Sequence, residues 1–414
     1  MRNDQQNIFK FVPKMRLFMS VDQIGSTAAK FSNSILPLKD NGELDISEFP
    51  FPEWHRQVII FHNEFDSIFR NTIWAEYFKD KKEKQPIIWK RLGDEIVYTL
   101  ELKNAIDAVR AIAAMLLTIK RYRIQNNITS DTDPNNDRKR PSPLNIKATF
   151  WLAGFPLINM EIPKERTPVI ESMETPEERN DDEKLDAETL AKINSLLNSR
   201  PHNPTLINQA FYTAAKYNSQ EIDFVGPSID TGFRLGRKSD KNHICLSFDL
   251  AMLLAKVFSE GADCEDVKAI NTIILDRHLY PEERANIFDN IFFEGNDPLK
   301  GVYKNEYSYP IFFINSPYEM INPKPSDIFY DKCTPESVLT KCENFISNMG
   351  NNILLPYIPG CPFLKEKPEY YEAYIDQWNE ILYKDYKISE STDHAKGRLG
   401  DGPDNNSPQP PKND

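Results

Sequence analysis

Residues 17–27 read LFMSVDQIGST. A run of apolar or small residues ends in a carboxylate, Asp22, and Gly25, Ser26 and Thr27 follow at once. An apolar run that stops at an acid and a small, amide-rich turn reads as a strand passing into a turn and a helix start. Two functions fit such a junction. One is a plain polar turn with a helix cap. The other is a metal–triphosphate site, with Asp22 holding cations and the turn amides holding phosphate. The rest of the chain has to decide between them.

The chain has 414 residues, 40% hydrophobic and 27% charged, enough for one large domain with additions or for two ordinary ones. Its core needs no disulfide or metal staple. A formal net charge of -12 and a pI near 5.2 argue against a broad nucleic-acid footprint, so no nucleic-acid partner is expected. A small anionic ligand remains compatible, because a site can be locally basic. Cys245, Cys264, Cys333, Cys342 and Cys361 form no CxxC pair and read as reduced thiols. The six histidines show no zinc-ligand spacing. No signal core and no membrane-length apolar run occur, so a soluble, cytoplasmic protein without a membrane partner is expected.

Residues 16–22 read as a central strand. Residues 52–74 read as a helix with Trp54, Val58, Phe61, Phe65 and Ile68 on one face and His62 packed beside that stripe. Residues 87–100, IIWKRLGDEIVYTL, read as two strands joined by a turn at Gly93–Asp94. A helix is expected over 102–121 and a surface loop over 124–144. A strand is expected over 145–155, with Ile146, Ala148, Phe150 and Leu152 on one face. Residues 160–200 are charged and proline-punctuated, an inserted excursion with a helix near 186–198. Residues 222–238 read as strand end, turn and helix start, with Ser228 as the N-cap. Strand-like pieces recur at 243–248 and 307–314, and helix at 334–349 and 368–385. The expected domains are a leader (1–13), a main domain (14–318) carrying an insertion (about 156–220), a C-terminal helical extension (319–388) and a disordered tail (389–414). The order of strands and helices implies an α+β fold, a sheet covered by helices on one face.

Asp22 ends the first strand, and Asp94 lies in the later hairpin turn. In a ferredoxin-like sheet these two strands are neighbours, so both acids project at one edge. Paired carboxylates with open coordination positions suit Mg²⁺ or Mn²⁺, which share hard oxygen ligands with substrate phosphates. Amides beside them favour phosphate. Two metals beside a phosphate cradle imply in-line phosphoryl chemistry.

At this point the residues resemble a known family. FMSVDQIGST is similar to the first metal motif of class III nucleotidyl cyclases, and WKRLGDEIVY to their second. DFVGPSIDTGFRLG resembles their third motif, and DPLKGV at 297–302 their late Lys–Gly turn. All four stand in the family's order across about 14–316, interrupted at 156–220. That order favours the metal site over the plain turn. The resemblance implies a ferredoxin-like cyclase sheet and two divalent cations, Mn²⁺ or Mg²⁺, on Asp22 and Asp94 with the Ile24 carbonyl. It puts the amides of Gly25, Ser26 and Thr27 on the β- and γ-phosphates and Lys300 on the triphosphate. Arg234 would meet charge developing on the α-phosphate. Lys90 and Asp223 would read the base. It also implies a homodimer with composite sites across a two-fold axis.

Two departures stand out. Asp230 occupies the place of the family's usual Asn, where a carboxylate near ribose and phosphate repels unless hydrogen-bonded or protonated. The Lys90/Asp223 pair is that of adenine-selective relatives, yet Trp89, Arg91 and Phe224 flank it. Taken together the segments look most like the bacterial pyrimidine cyclases of the Pycsar antiphage system. That resemblance implies cyclisation of UTP or CTP, with the cyclic product activating a separate effector. An adenylyl cyclase and a non-catalytic nucleotide-binding scaffold are the alternatives, favoured by Lys90/Asp223 and by Asp230 respectively.

Overall fold

The computed structural model describes residues 14–32, 41–43, 53–78, 85–126, 128, 144–155, 158–163, 222–284, 286–302, 308–317 and 331–349, and scattered positions between 353 and 377. The chain forms two compact units, one of 13–162 with 220–368 and one of 1–12, 163–219 and 369–414. In the second unit only Pro163 and short helical pieces at 371–373 and 376–377 are described. The expected helix near 186–198 and the expected disordered tail lie outside the described residues.

The first unit is built on strand β1 (Lys14–Gln23). Helix α1 (Ser26–Ser32) follows, then α2 (Glu53–Asp66), which continues as a π-helical stretch, Ser67–Phe78. The hairpin β2 (Ile87–Leu92) and β3 (Glu95–Leu102) leads to α3 (Ala105–Gln125) and β4 (Ile146–Phe155). These strands lie in the order β4-β1-β3-β2, with β1 antiparallel to both β3 and β4. That is the ferredoxin-like arrangement, so the expected α+β class holds. Next come a ribbon of β5 (Met160–Pro163) and β6 (Ile222–Val225), helix α4 (Pro227–Leu235) and β7 (His243–Leu246). Strand β7 joins the sheet parallel to β4. Helices α5 (Phe248–Glu260) and α6 (Glu265–Asp276) precede β8 (Ile291–Asp297), β9 (Tyr309–Asn315), β10 (Asp331–Lys332) and α7 (Pro335–Asn348). These complete an eight-stranded sheet, β10-β8-β9-β7-β4-β1-β3-β2.

Strand alternation gives β1 two different faces. Leu17, Met19 and Val21 pair across the sheet with Leu100, Tyr98 and Ile96 on one side and Leu152, Phe150 and Ala148 on the other. All nine belong to the main core under the long helices. Phe69 meets Tyr98 edge-on at 4.8 Å, and Phe61 meets Tyr122 of α3 at 5.8 Å. Phe345 of α7 packs on Phe248 at 5.0 Å, so this helix of the expected C-terminal extension belongs to the same compact unit.

The opposite face is also covered, beyond the one-sided arrangement expected. Phe18 stacks on Trp151 at 5.5 Å and meets Phe224 of β6 at 5.2 Å, while Trp151 meets Phe233 of α4 at 5.5 Å. Each such ring pair contributes about 1 kcal/mol beyond the area it buries. The ribbon is pinned as well. Arg16 Nε donates to Glu161 Oε1 at 2.9 Å, with both side chains buried.

Three boundaries shift for local reasons. Helix α3 starts at 105, not 102, because Asn104 and Asp107 form a reciprocal capping box and Leu102 ends β3. It also runs to 125, into the expected loop. Ser228 is not an N-cap. Gly226 holds that position with Pro227 opening the helix, and Ser228 N donates to Asn159 Oδ1 at 3.0 Å. All five cysteines are free thiols, as expected.

Arg123, near the end of α3, ties three elements. Its guanidinium donates to Asn145 Oδ1 (3.1 Å), Ser316 Oγ (2.7 Å), Ile146 O (2.7 Å) and Lys241 O (2.8 Å). Arg123→Met would leave buried acceptors unpaired, so a loss on the order of 3 kcal/mol is expected, read as a lower urea midpoint with unchanged slope.

Candidate active site

Asp22 sits where β1 leaves the sheet. Its register partners are Glu95 on β3 and Lys147 on β4, so the three side chains emerge from one face in a row. Lys147 Nζ lies 3.4 Å from Asp22 Oδ2 and donates to Gly236 O at 3.2 Å. Asp94 lies in the β2–β3 turn, which Gly93 makes possible at φ 66°. The turn is joined to β1 where Gln23 N donates to Asp94 O at 3.3 Å. Ser26 Oγ donates to Asp94 Oδ2, and Lys30 Nζ reaches Asp94 Oδ1 at 2.9 Å. Ile24 N is held by Asn145 O at 2.7 Å. Gly25 adopts φ 82°, and a Cβ there would meet nothing within 4 Å, so this backbone is open to a ligand.

Asp22, Gln23, Ile24, Gly25, Ser26, Thr27 and Asp94 line one cavity of about 330 Å³ with Lys147, Ser239 and Asp240. Burial raises the Asp22 carboxyl above its ordinary value. Lys147 opposes that shift and the nearby Asp94 adds to it. Burial also acts to raise Asp94, but the hydrogen bonds from Ser26 and Lys30 outweigh it and hold Asp94 below the ordinary value. Glu95 is raised by burial, eased by the hydroxyl of Ser20 and reinforced by Asp22. Burial and the charge of Arg91 lower the His62 imidazole.

The donor set defines what cation fits. Among the described residues no three His, Cys, Asp or Glu side chains converge on a common point. Two carboxylates beside a hydroxyl and open backbone do not make a cage for zinc. They do suit Mg²⁺ or Mn²⁺, which keep waters and take phosphate oxygens as remaining ligands.

The other sequence-identified residues gather in two further places, and none of them lines this cavity. Lys90 Nζ lies 2.7 Å from Asp223 Oδ1 and 2.9 Å from Asp223 Oδ2. Arg234 Nη1 donates to Lys300 O, and the guanidinium lies over Gly301, whose Cβ would sit 3.3 Å from Arg234 Nη2. Asp230 is exposed, one helical turn before Arg234. The sequence reading missed Lys30, Lys147, Glu95, Ser239 and Asp240. For Lys147 a signal existed, since alternation from the apolar Ile146 and Ala148 turns it toward the Asp22 side.

No protein-family model matches the chain, and no curated protein matches its sequence. Partial structural likenesses exist. The adenylyl cyclase CyaB from P. aeruginosa shares 13% identity at a TM-score of 0.34, covering 73% of this chain and 94% of its own. The guanylate cyclase domain of RhGC from Catenaria anguillulae, in complex with GTP, shares 10% identity at a TM-score of 0.35, covering 74% and 99%. A bacterial light-regulated adenylyl cyclase shares 9% at 0.32, covering 80% and 100%. Likeness at this level carries no functional weight, so the reading below rests on the chain's own residues.

Helix α4, which carries Asp230 and Arg234, approaches the sheet through Gly232. A Cβ there would fall 2.2 Å from the Trp151 ring. Gly232→Ala is therefore expected to push α4 off the sheet and cost about 1 to 3 kcal/mol, read as a lower thermal midpoint.

Proposed function

We propose that this protein is a pyrimidine nucleotide cyclase. It converts UTP or CTP to the 3′,5′-cyclic monophosphate and pyrophosphate. The observation that carries this reading is the convergence of Asp22, Asp94 and the 24–27 turn on one cavity. The donor–acceptor pair Lys90–Asp223, framed by aromatic rings, supplies a base reader.

Asp22 and Asp94, with the Ile24 carbonyl, would hold two divalent ions, Mn²⁺ or Mg²⁺. Such ions, when bound, acidify the ribose 3′-hydroxyl and screen the triphosphate. The amides of Gly25, Ser26 and Thr27 meet the β- and γ-phosphates, and Lys300 pairs with the triphosphate. The 3′-hydroxyl gives up its proton to solvent, a bond forms from the 3′-oxygen to the α-phosphorus, and the bond from the α-phosphorus to the leaving pyrophosphate breaks. Arg234 offers its guanidinium to the charge that builds on the α-phosphate. Asp230 shares the helix face of Arg234, whose charge offsets its own. Lys30 and Lys147 keep the two acids ion-paired and in place.

The cavity is lined by none of Lys90, Asp223, Arg234 or Lys300. A second copy of the chain, related by a two-fold axis, supplies that half in our reading. The pyrimidine assignment draws on the rings of Trp89, Phe18, Phe224 and Phe233, which crowd the base reader and favour a small base. The similarity of the 21–31 and 89–98 segments to antiphage pyrimidine cyclases extends the proposal. In that extension the product is a cytoplasmic second messenger read by a separate effector. The second reading is an adenylyl cyclase, because the Lys90–Asp223 pair also matches the adenine edge.

Purified protein given Mn²⁺ or Mg²⁺ with each of ATP, GTP, CTP and UTP should yield a cyclic pyrimidine monophosphate by mass spectrometry. Asp22→Ala should abolish it. Cyclic AMP as the main product would select the second reading, and no cyclic product would sink both. Composite sites add a mixing test. Asp22→Ala and Arg234→Ala, each inactive alone, should recover about a quarter of wild-type activity when co-refolded, since half the dimers then hold one intact site. No recovery would mean that each site is built within one chain.

A further inference from the structure

Trp89 and Lys90 are consecutive on β2, and in a regular strand their side chains would leave opposite faces. Here they do not. The pairing with β3 skips a residue between Ile88 and Lys90, so a bulge re-aims the strand at Trp89. Both side chains reach the same carboxylate. Trp89 Nε1 donates to Asp223 Oδ1 at 3.0 Å, and Lys90 Nζ donates to Asp223 Oδ2 at 2.9 Å. Phe224 N adds a third bond to Oδ1 at 2.9 Å. The Lys90 ammonium also rests over the Trp89 ring, 4.7 Å from its centroid. Trp89 itself is 6% exposed and wedged edge-on against Phe18 and Phe224, so its N–H is fixed in direction.

A carboxylate oxygen has two lone pairs. On Asp223 Oδ1 both are taken, by Trp89 and Phe224, and the Lys90 ammonium, which straddles the two oxygens, crowds it further at 2.7 Å. Among the described residues Oδ2 accepts only from Lys90, at 2.9 Å, and so retains room for one more donor. Asp223 therefore accepts a single N–H from a ligand. Cytosine and adenine offer one amino donor beside a ring-nitrogen acceptor, and uracil offers one N–H beside a carbonyl. Guanine offers two adjacent donors, N1–H and the 2-amino group, and a single-acceptor carboxylate leaves the second unpaired at a cost.

We infer that Trp89 is a specificity-positioning residue: its indole N–H occupies one oxygen of Asp223 and so disfavours guanine at the base site. This rests on the reading of Lys90 and Asp223 as base readers and adds to it a residue that touches no substrate atom.

The test compares the full-length wild type with Trp89→Phe, which keeps a ring but loses the N–H. Rates of cyclic product formation and calorimetric affinities are measured for each of CTP, UTP, ATP and GTP. Expected is a rise of about tenfold in GTP relative to ATP, a purine that the smaller ring favours equally, the worth of one regained hydrogen bond. A ratio unchanged within about twofold, in a variant with wild-type circular dichroism, overturns the inference. Should Trp89→Phe fail to fold, Asp223→Asn carries the test. An amide oxygen pinned by Trp89 and Phe224 turns the NH₂ outward, so uridine-to-cytidine preference must rise. An unchanged preference overturns the inference. Selective binding without cyclisation would end the cyclase reading and leave the role of Trp89 standing. A wild type that binds none of the four would end both.

Discussion

Everything at the candidate site depends on the register between β1 and its two neighbours. Strand β1 is central and buried on both faces, so its alternation cannot slip by one residue without turning Leu17, Met19 and Val21 out of the main core. That same register lines up Asp22, Glu95 and Lys147 and brings the Asp94 turn against Gln23. The hydrophobic effect thus sets the position of the carboxylates. Arg123 supports the arrangement from behind, holding Asn145 and Ile146 at the start of β4.

The charges then create a tension that suits cation binding. Asp22, Glu95 and Asp94 crowd one end of the sheet, and burial and mutual repulsion raise two of the three carboxyls. Lys147, Lys30 and the hydroxyls of Ser20 and Ser26 offset this, so the acids stay in place as ion pairs and hydrogen bonds. In the proposed metal–triphosphate site, groups held in this way would need little reorganisation, which is the sense in which a site is preorganised.

The second face of the sheet follows a different logic. From Asp22 toward Lys14 the outward residues of β1 change from polar (Asp22, Ser20) to aromatic (Phe18) to charged (Arg16). The ribbon and α4 cover the aromatic middle, and the Arg16–Glu161 pair closes the far end. Asp223 is carried on that ribbon, so its position relative to Lys90 is set by ring packing and a buried ion pair rather than by the turn chemistry that sets Asp94. The bulge at Trp89 links the two systems, because it lets β2 contribute one side chain to the aromatic cluster and an adjacent one to the Asp223 carboxylate.

Local signals determined much of this by themselves. Apolar runs of period two and 3.6 marked β1, β3, β4 and the helices above them, and Gly93–Asp94 marked its turn, because such patterns record burial and backbone freedom residue by residue. Pairs close in sequence to a recognisable motif, Asp22 with its turn and Asp94 with its hairpin, were legible for that reason. What only the tertiary structure decided are relations between distant segments. Lys147 opposes Asp22 across 125 residues of chain, Trp89 donates to Asp223 across 134, and Glu161 closes on Arg16 across 145. Nothing in a lone lysine, tryptophan or glutamate announces its partner. The partner is chosen by strand register, by a bulge that reverses one side chain and by the packing of rings, and those exist only once the sheet has formed.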